Sequence, residues 1–120
     1  KVLGEAREHP VDVYLFWLKL YKGPIYNIYS LVQWIDKLAR RWVTVDSLQQ
    51  TLCRFIKPYY YDSPESILEM RILQMMMHLG ILVFGESDKG KVVRMTPAGS
   101  SIIQGIYITD RDAIEIAADR

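Results

Sequence analysis

The stretch from Ser63 to Gly99 leaves the chain little choice of architecture. Ser63 followed by Pro64 pairs an N-cap with a first-turn proline, and Leu68, Ile72, Met75, Met76 and Leu79 then recur at helical core spacing until Gly80 stops the helix. Residues 81–85 read as a strand, 86–90 as a turn and 91–95 as the returning strand, a β-hairpin entered without any linker. Thr96-Pro97 repeats the cap-plus-proline device and opens a short helix through Ile103.

Upstream, Pro10 and Asp12 open a helix over residues 10–22, and Gly23-Pro24 closes it. Its apolar residues leave almost no polar face, so the pattern predicts cover on two sides. A second helix is expected over 27–41. Its stripe is Ile28, Leu31, Ile35 and Leu38, with Val32, Trp34 and Trp42 nearby and Asp36, Lys37, Arg40 and Arg41 towards the other side. Residues 43–45 suit a short β-branched strand, after which Asp46 with Gln49 forms a capping box for a third helix that turns Leu48, Leu52, Phe55 and Ile56 inward. After Gly105, Ile106/Ile108 and Ile114/Ile116 alternate at period two, giving a strand pair or ragged extension, although Ala113, Ile114 and Ala117 also fit a helix.

The expected fold class is mainly α with a small β-hairpin. At 120 residues, half of them hydrophobic, the chain has the size and composition of one globular core rather than a disordered segment. Residues 1–24 are read as an N-terminal helix packing on that core, 25–104 as the domain proper and 105–120 as an extension leading into a further domain. The chain opens at Lys1 and closes at Arg120 without a helix stop, the pattern of a piece of a longer protein. The longest nearly uncharged apolar stretch, Val11 to Leu18, is far short of the ~20 residues of a membrane span, and it lacks the flanks of a signal peptide. The lone Cys53 lies on an apolar helix side, as a core thiol does in a reducing compartment. A cytoplasmic or nucleoid-associated location is therefore expected, with no membrane partner.

The order helix, short strand, helix, helix, hairpin over residues 25–104 resembles a winged-helix domain, and "HLGILVFGESDKGKVVRMTPAG" is similar to the close of many such proteins. There Gly80 ends a helix, the hairpin forms the wing and its second strand runs into Thr96-Pro97-x-Gly99. More narrowly, "RRWVTVDSLQQTLCRFIKPYY" is similar to the winged-helix segment of bacterial helicase-associated proteins that carry an XPB N-terminal-like region. In those proteins the residue after that glycine is usually basic, and here it is Ser100. The resemblance implies an accessory module of a larger DNA-handling protein, with an extra N-terminal helix here.

In a winged helix that reads DNA, the helix before the wing enters the major groove. At 3.6 residues per turn its face opposite the core stripe carries Ser66, Met70, Leu73 and Met77, and none of the Arg, Lys, Asn, Gln or carboxylate side chains that read base edges lies there. Met70, Leu73 and Met77 are therefore candidates either for covering the first helix or for docking a neighbouring domain or a protein partner. Lys89, Lys91 and Arg94 on the wing, with Arg40 and Arg41 on the second helix, are candidates for weak phosphate contact independent of sequence. Residues 25–104 hold nine Lys+Arg against seven Asp+Glu, within a chain of net charge +1. The alternatives are a sequence-specific regulator reading bases with Arg71, Gln74 and His78, and a purely protein-interacting winged helix. Tyr59, Tyr60 and Tyr61 suit either a loop pinned to the core or base stacking. No HExxH, CxxC or phosphate-loop spacing occurs, so no catalytic, cofactor or metal site is expected.

Overall fold

The computed structural model describes residues 9–59 and 61–106, and the tail expected as a strand pair lies largely outside them. The protein is mainly helical with a small three-stranded antiparallel sheet. Helix α1 spans Pro10–Tyr21, α2 Ile28–Leu38 and α3 Val45–Leu52, the last extended by a 3-10 turn over Cys53–Phe55. Helix α4 is continuous over residues 64–78, and α5 covers Pro97–Gly105. The strands are β1 Val43–Thr44, β2 Leu82–Ser87 and β3 Gly90–Met95, in the order β1-β3-β2. The hairpin's second strand is thus the central one, pairing Val93 with both Val43 and Phe84.

Side-chain chemistry sets most boundaries. The His9 ring accepts from the Val11 amide through Nδ1 and caps α1. The α3 cap is Thr44, whose hydroxyl accepts from the Ser47 amide at 3.0 Å, rather than Asp46. The cap thus falls two residues earlier than the capping box implied and cuts the first strand to two residues. Asp46 instead accepts from the Gln50 side chain inside the first turn. Ser63 and Thr96 cap α4 and α5 as expected, each ahead of a proline. Helix α2 stops three residues short of the expected end because the Ala39 carbonyl turns to accept from the Met95 amide of β3.

Helix α4 departs from α geometry over Ile67–Leu73, a π segment in which the Gln74 amide donates to the Glu69 carbonyl, five residues back. The wider turn delays every later side chain by about one position. Ile67, Leu68, Ile72, Leu73 and Met76 are buried as a result, while Met75 and Leu79 move to the margin of the core. Leu73, placed outside by a 3.6-residue wheel, is fully buried.

At the end of α4, Gly80 adopts a positive φ, Ile81 N–H donates to the Met76 carbonyl and Gly80 N–H to the Met77 carbonyl, a Schellman motif. Thr96 locks onto this turn. Its amide donates to the Ile81 carbonyl, its hydroxyl donates towards the Gly80 and Ile81 carbonyls, and the hydroxyl oxygen accepts from Gly99 N–H. A Cβ on Gly99 would lie 2.2 Å from the Ile81 oxygen, so the Thr-Pro-x-Gly run is dictated by close passage of two backbones.

One core cluster unites all the helices, with Tyr14, Trp17 and Leu18 of α1 buried beside the α2 and α4 residues. The second cover expected for α1 is absent among the described residues: Phe16 and Leu20 are 62% and 59% exposed. Burial pushes the Tyr14 hydroxyl pKa up, helped by the negative charge of Asp36 and by Tyr29. Asp36 itself is 2% exposed and is held by Ser100 Oγ at 2.5 Å, Gln104 Nε2 at 3.2 Å and Arg40 Nη2 at 3.3 Å, which fastens α5 to α2. No helix among the described residues is long and apolar enough to cross a membrane.

Candidate functional site

The sheet has two faces, and the alternation along β3 sorts the wing cations between them. Lys91, Val93 and Met95 share the face turned to the helices, while Val92 and Arg94 share the outer one. Lys91 donates to the Glu69 carboxylate of α4 and lies across from Glu86 in the strand register. Its ammonium pKa is raised, chiefly by that bond, so it stays charged but already paired. Lys91 is thus withdrawn from the wing cations as a phosphate contact. Lys89 sits exposed in the two-residue turn, where its amide donates to Ser87 Oγ.

On the outer face the Arg94 guanidinium lies 5.1 Å from the centre of the Trp42 ring. Trp42 is 48% exposed, and its ring edge lies against Gly85 of the hairpin. A Cβ on Gly85 would come within 3.2 Å of Trp42 Cζ3, so the glycine makes room for the indole. Arg94 and Arg40 line one shallow cleft of about 290 Å³ with Met95, Thr96, Pro97 and Ser100. Arg41 is exposed between Arg40 and Trp42 in the chain. The outer face therefore carries Arg94 beside an exposed tryptophan, with Arg40 in the adjoining cleft and bonded to Asp36. Sequence reasoning named the arginines but missed Trp42. The signal was present: a small residue, Gly85, in β2 and an outward period-two position at Arg94.

The inner face is different in kind. Gln74 and Met77 of α4 face Phe84, Gly85, Glu86 and Lys91 of the hairpin across a mostly apolar groove of about 230 Å³. Met70, one turn nearer the helix start, is 52% exposed. Of the three apolar docking candidates, Met70 and Met77 are therefore presented and Leu73 is not. Arg71, proposed for reading bases, donates to Asp62 at 2.7 Å and lies over the Tyr59 ring. That bond is the main reason its pKa is raised, with Tyr59 and the Tyr21 hydroxyl adding to it. His78 is exposed and Gln74 half-buried at the groove. Tyr59 is half-buried and bridged to Asp62, Tyr61 is wholly exposed, and Tyr60 lies outside the described residues.

Burial and the nearby Glu65 push the Cys53 thiol up to about 11, so it is a neutral packing group at ordinary pH. No group of three or more His, Cys, Asp or Glu side chains converges among the described residues. Comparison with family models, with characterised proteins and with solved structures returns no match.

Proposed function

We propose that the chain is a winged-helix accessory module of a larger, helicase-associated DNA-handling protein. Its work is to position a neighbouring domain or partner, and it touches DNA weakly, through phosphates, with no sequence preference. The order of elements and the backbone crossing at Gly99 support the winged-helix reading. The observation that carries the functional reading is the pairing of cations around α4. Arg71 is bound to Asp62 and Lys91 to Glu69, so the helix that would enter a major groove brings no unpaired cation to it. Arg41, Arg94 and Lys89 remain exposed beside the outer face and at the turn, with Arg40 next to them and engaged by Asp36 through Nη2 alone, where they meet a phosphate backbone without reaching base edges.

Anisotropy titrations with labelled random and defined duplexes at several salt concentrations test this. The expected result is micromolar or weaker binding, equal across sequences. Each neutralised phosphate contributes ~0.9 to the log–log salt slope, so four contacts give a slope of about −3 to −4. Changing Arg40, Arg41, Arg94 and Lys89 to Gln removes the binding, whereas Lys91→Gln leaves it nearly unchanged. Sub-micromolar, sequence-selective binding lost on Arg71→Ala would assign the regulator reading instead. Absence of salt-dependent binding would leave a purely protein-interacting module.

A further inference from the structure

Phosphate contact accounts for the arginines beside the outer sheet face but not for the tryptophan among them. Trp17 is buried and Trp34 half-buried, whereas Trp42 is exposed. The strand register sets its place. Val43 pairs with Val93 and Thr44 with Val92, so Trp42, just ahead of β1, comes level with Arg94 and on the outward side of the pleat with Thr44. From the β1 side the indole reaches across the central strand to β2, where its edge meets Gly85. A glycine inside a strand gives up side-chain packing, and here the ring edge takes the space it leaves. A Cβ there would stand 3.2 Å from Trp42 Cζ3 and 3.3 Å from Cη2. The indole is thus seated at one edge while nearly half of the residue stays open to water.

Cations surround this ring. The Arg94 guanidinium carbon lies 5.1 Å from its centre, exposed Arg41 precedes it in the chain, and Arg40 shares the cleft of about 290 Å³ with Arg94. The carboxylates in the neighbourhood are engaged elsewhere. Asp36 is buried against Ser100, Gln104 and Arg40, Asp46 accepts from Gln50 at the start of α3, and Glu86 lies across from Lys91 on the inner face. Asp88 sits at the hairpin tip beside Lys89. An open aromatic face among guanidinium groups has the chemistry of an unpaired nucleotide's partner: the base stacks on the ring or on the guanidinium plane, and the phosphates on either side meet the remaining cations. A base inside a duplex has its faces covered by its neighbours and gains nothing from the indole. An acidic peptide would use the arginines and leave the ring without a partner. We infer that the outer face binds single-stranded DNA in preference to duplex, with one unpaired base stacked at Trp42 and Arg94 and its flanking phosphates on Arg40 and Arg41. This rests on the phosphate contacts proposed above and names the form of DNA that they serve.

Titrations of the 120-residue chain with oligo-dT, an abasic strand of equal length and a random duplex test it, read by strand anisotropy and by tryptophan emission. Oligo-dT is expected to bind at least about fivefold more tightly than the abasic strand and to quench the emission. Trp42→Ala weakens oligo-dT binding by about 5- to 150-fold, the size of one base–aromatic stack, and leaves the abasic strand and the duplex bound as before. Trp42→Phe, which keeps a ring, retains most of the affinity and loses the quenching. Because the indole also rests against Gly85, an unchanged urea midpoint for both variants shows that the sheet survives. Equal binding of oligo-dT and the abasic strand would overturn the inference, as would a Trp42→Ala chain that binds oligo-dT as tightly as the parent. So would emission that responds only to an acidic peptide, since the surface would then belong to a protein partner. Oligo-dT binding without measurable duplex binding removes the duplex contact and leaves this inference standing. Duplex binding with no advantage for the single strand does the reverse, so the two readings fail separately.

Discussion

Gly99 is a residue whose identity the packing dictates. Any Cβ there meets the Ile81 carbonyl at 2.2 Å and the Ile81 Cα at 2.7 Å, and neither is the movable end of a side chain. Gly99→Ala must therefore push α5 off the Schellman turn, at a cost of about 1–3 kcal/mol of the kind overpacking brings. A fall in the urea midpoint of that size checks it, and an unchanged midpoint would contradict the close crossing. Cys53 gives a second test at this scale. Its folded pKa of about 11 exceeds the ordinary 9.0, so folding favours the protonated thiol. That contribution is fully present below pH 9.0 and is lost as pH rises through about 11. At pH 8 iodoacetamide should alkylate Cys53 markedly more slowly in the folded chain than in urea, as read by mass spectrometry; equal rates would refute the neutral thiol. The caps at Ser63 and Thr96 were legible because a hydroxyl before proline has few other uses. The Thr44 cap was not, because Asp46 offered an equally good oxygen two residues later, and only the strand pairing of Thr44 with Val92 decides between them.

At the scale of elements, helix α4 shows how a correct helix can be misread on its faces. Its start, its stop and its core residues Leu68, Ile72 and Met76 followed from spacing, yet the outward assignment of Leu73 failed. A wheel drawn at 3.6 residues per turn cannot register a π segment, and no residue type in Ile67–Leu73 announces one. The consequence is measurable. Leu73→Ala should cost about 2–5 kcal/mol as a core truncation, while Met70→Ala should stay within about 0.5 kcal/mol. Reversal of that order in chemical denaturation would restore the regular wheel. The hairpin was legible in position but not in extent. Its strands run two residues further into the expected turn on one side and one on the other, because Ser87 pairs with Gly90 at positive φ. Trp42 was hidden for a related reason: a helix expected to continue through Arg41 would have carried its indole to the core, and the early end at Leu38 turns it outward.

Taken whole, the molecule is divided by its sheet into a cationic side and an apolar side. A net charge of +1 concealed that division, because Lys91 and Arg71 were counted with the arginines although each is spent on a carboxylate of its own chain. Charge totals by segment therefore described the composition of the wing correctly and its electrostatics poorly. The α1 helix belongs to the same core as the rest.

The knot of hydrogen bonds around Thr96 carries a consequence for motion. The amides of Ile81, Thr96 and Gly99 are all bonded within one turn-and-cap junction, so none can be released while the others stay closed. The last turn of α4, the base of the hairpin and the first turn of α5 should then open as a single unit. Native-state amide exchange is expected to return one shared opening free energy for these three protons, well above that of the Asp88–Lys89 tip. Three distinct values would mean that the wing can swing independently of the helices on either side of it.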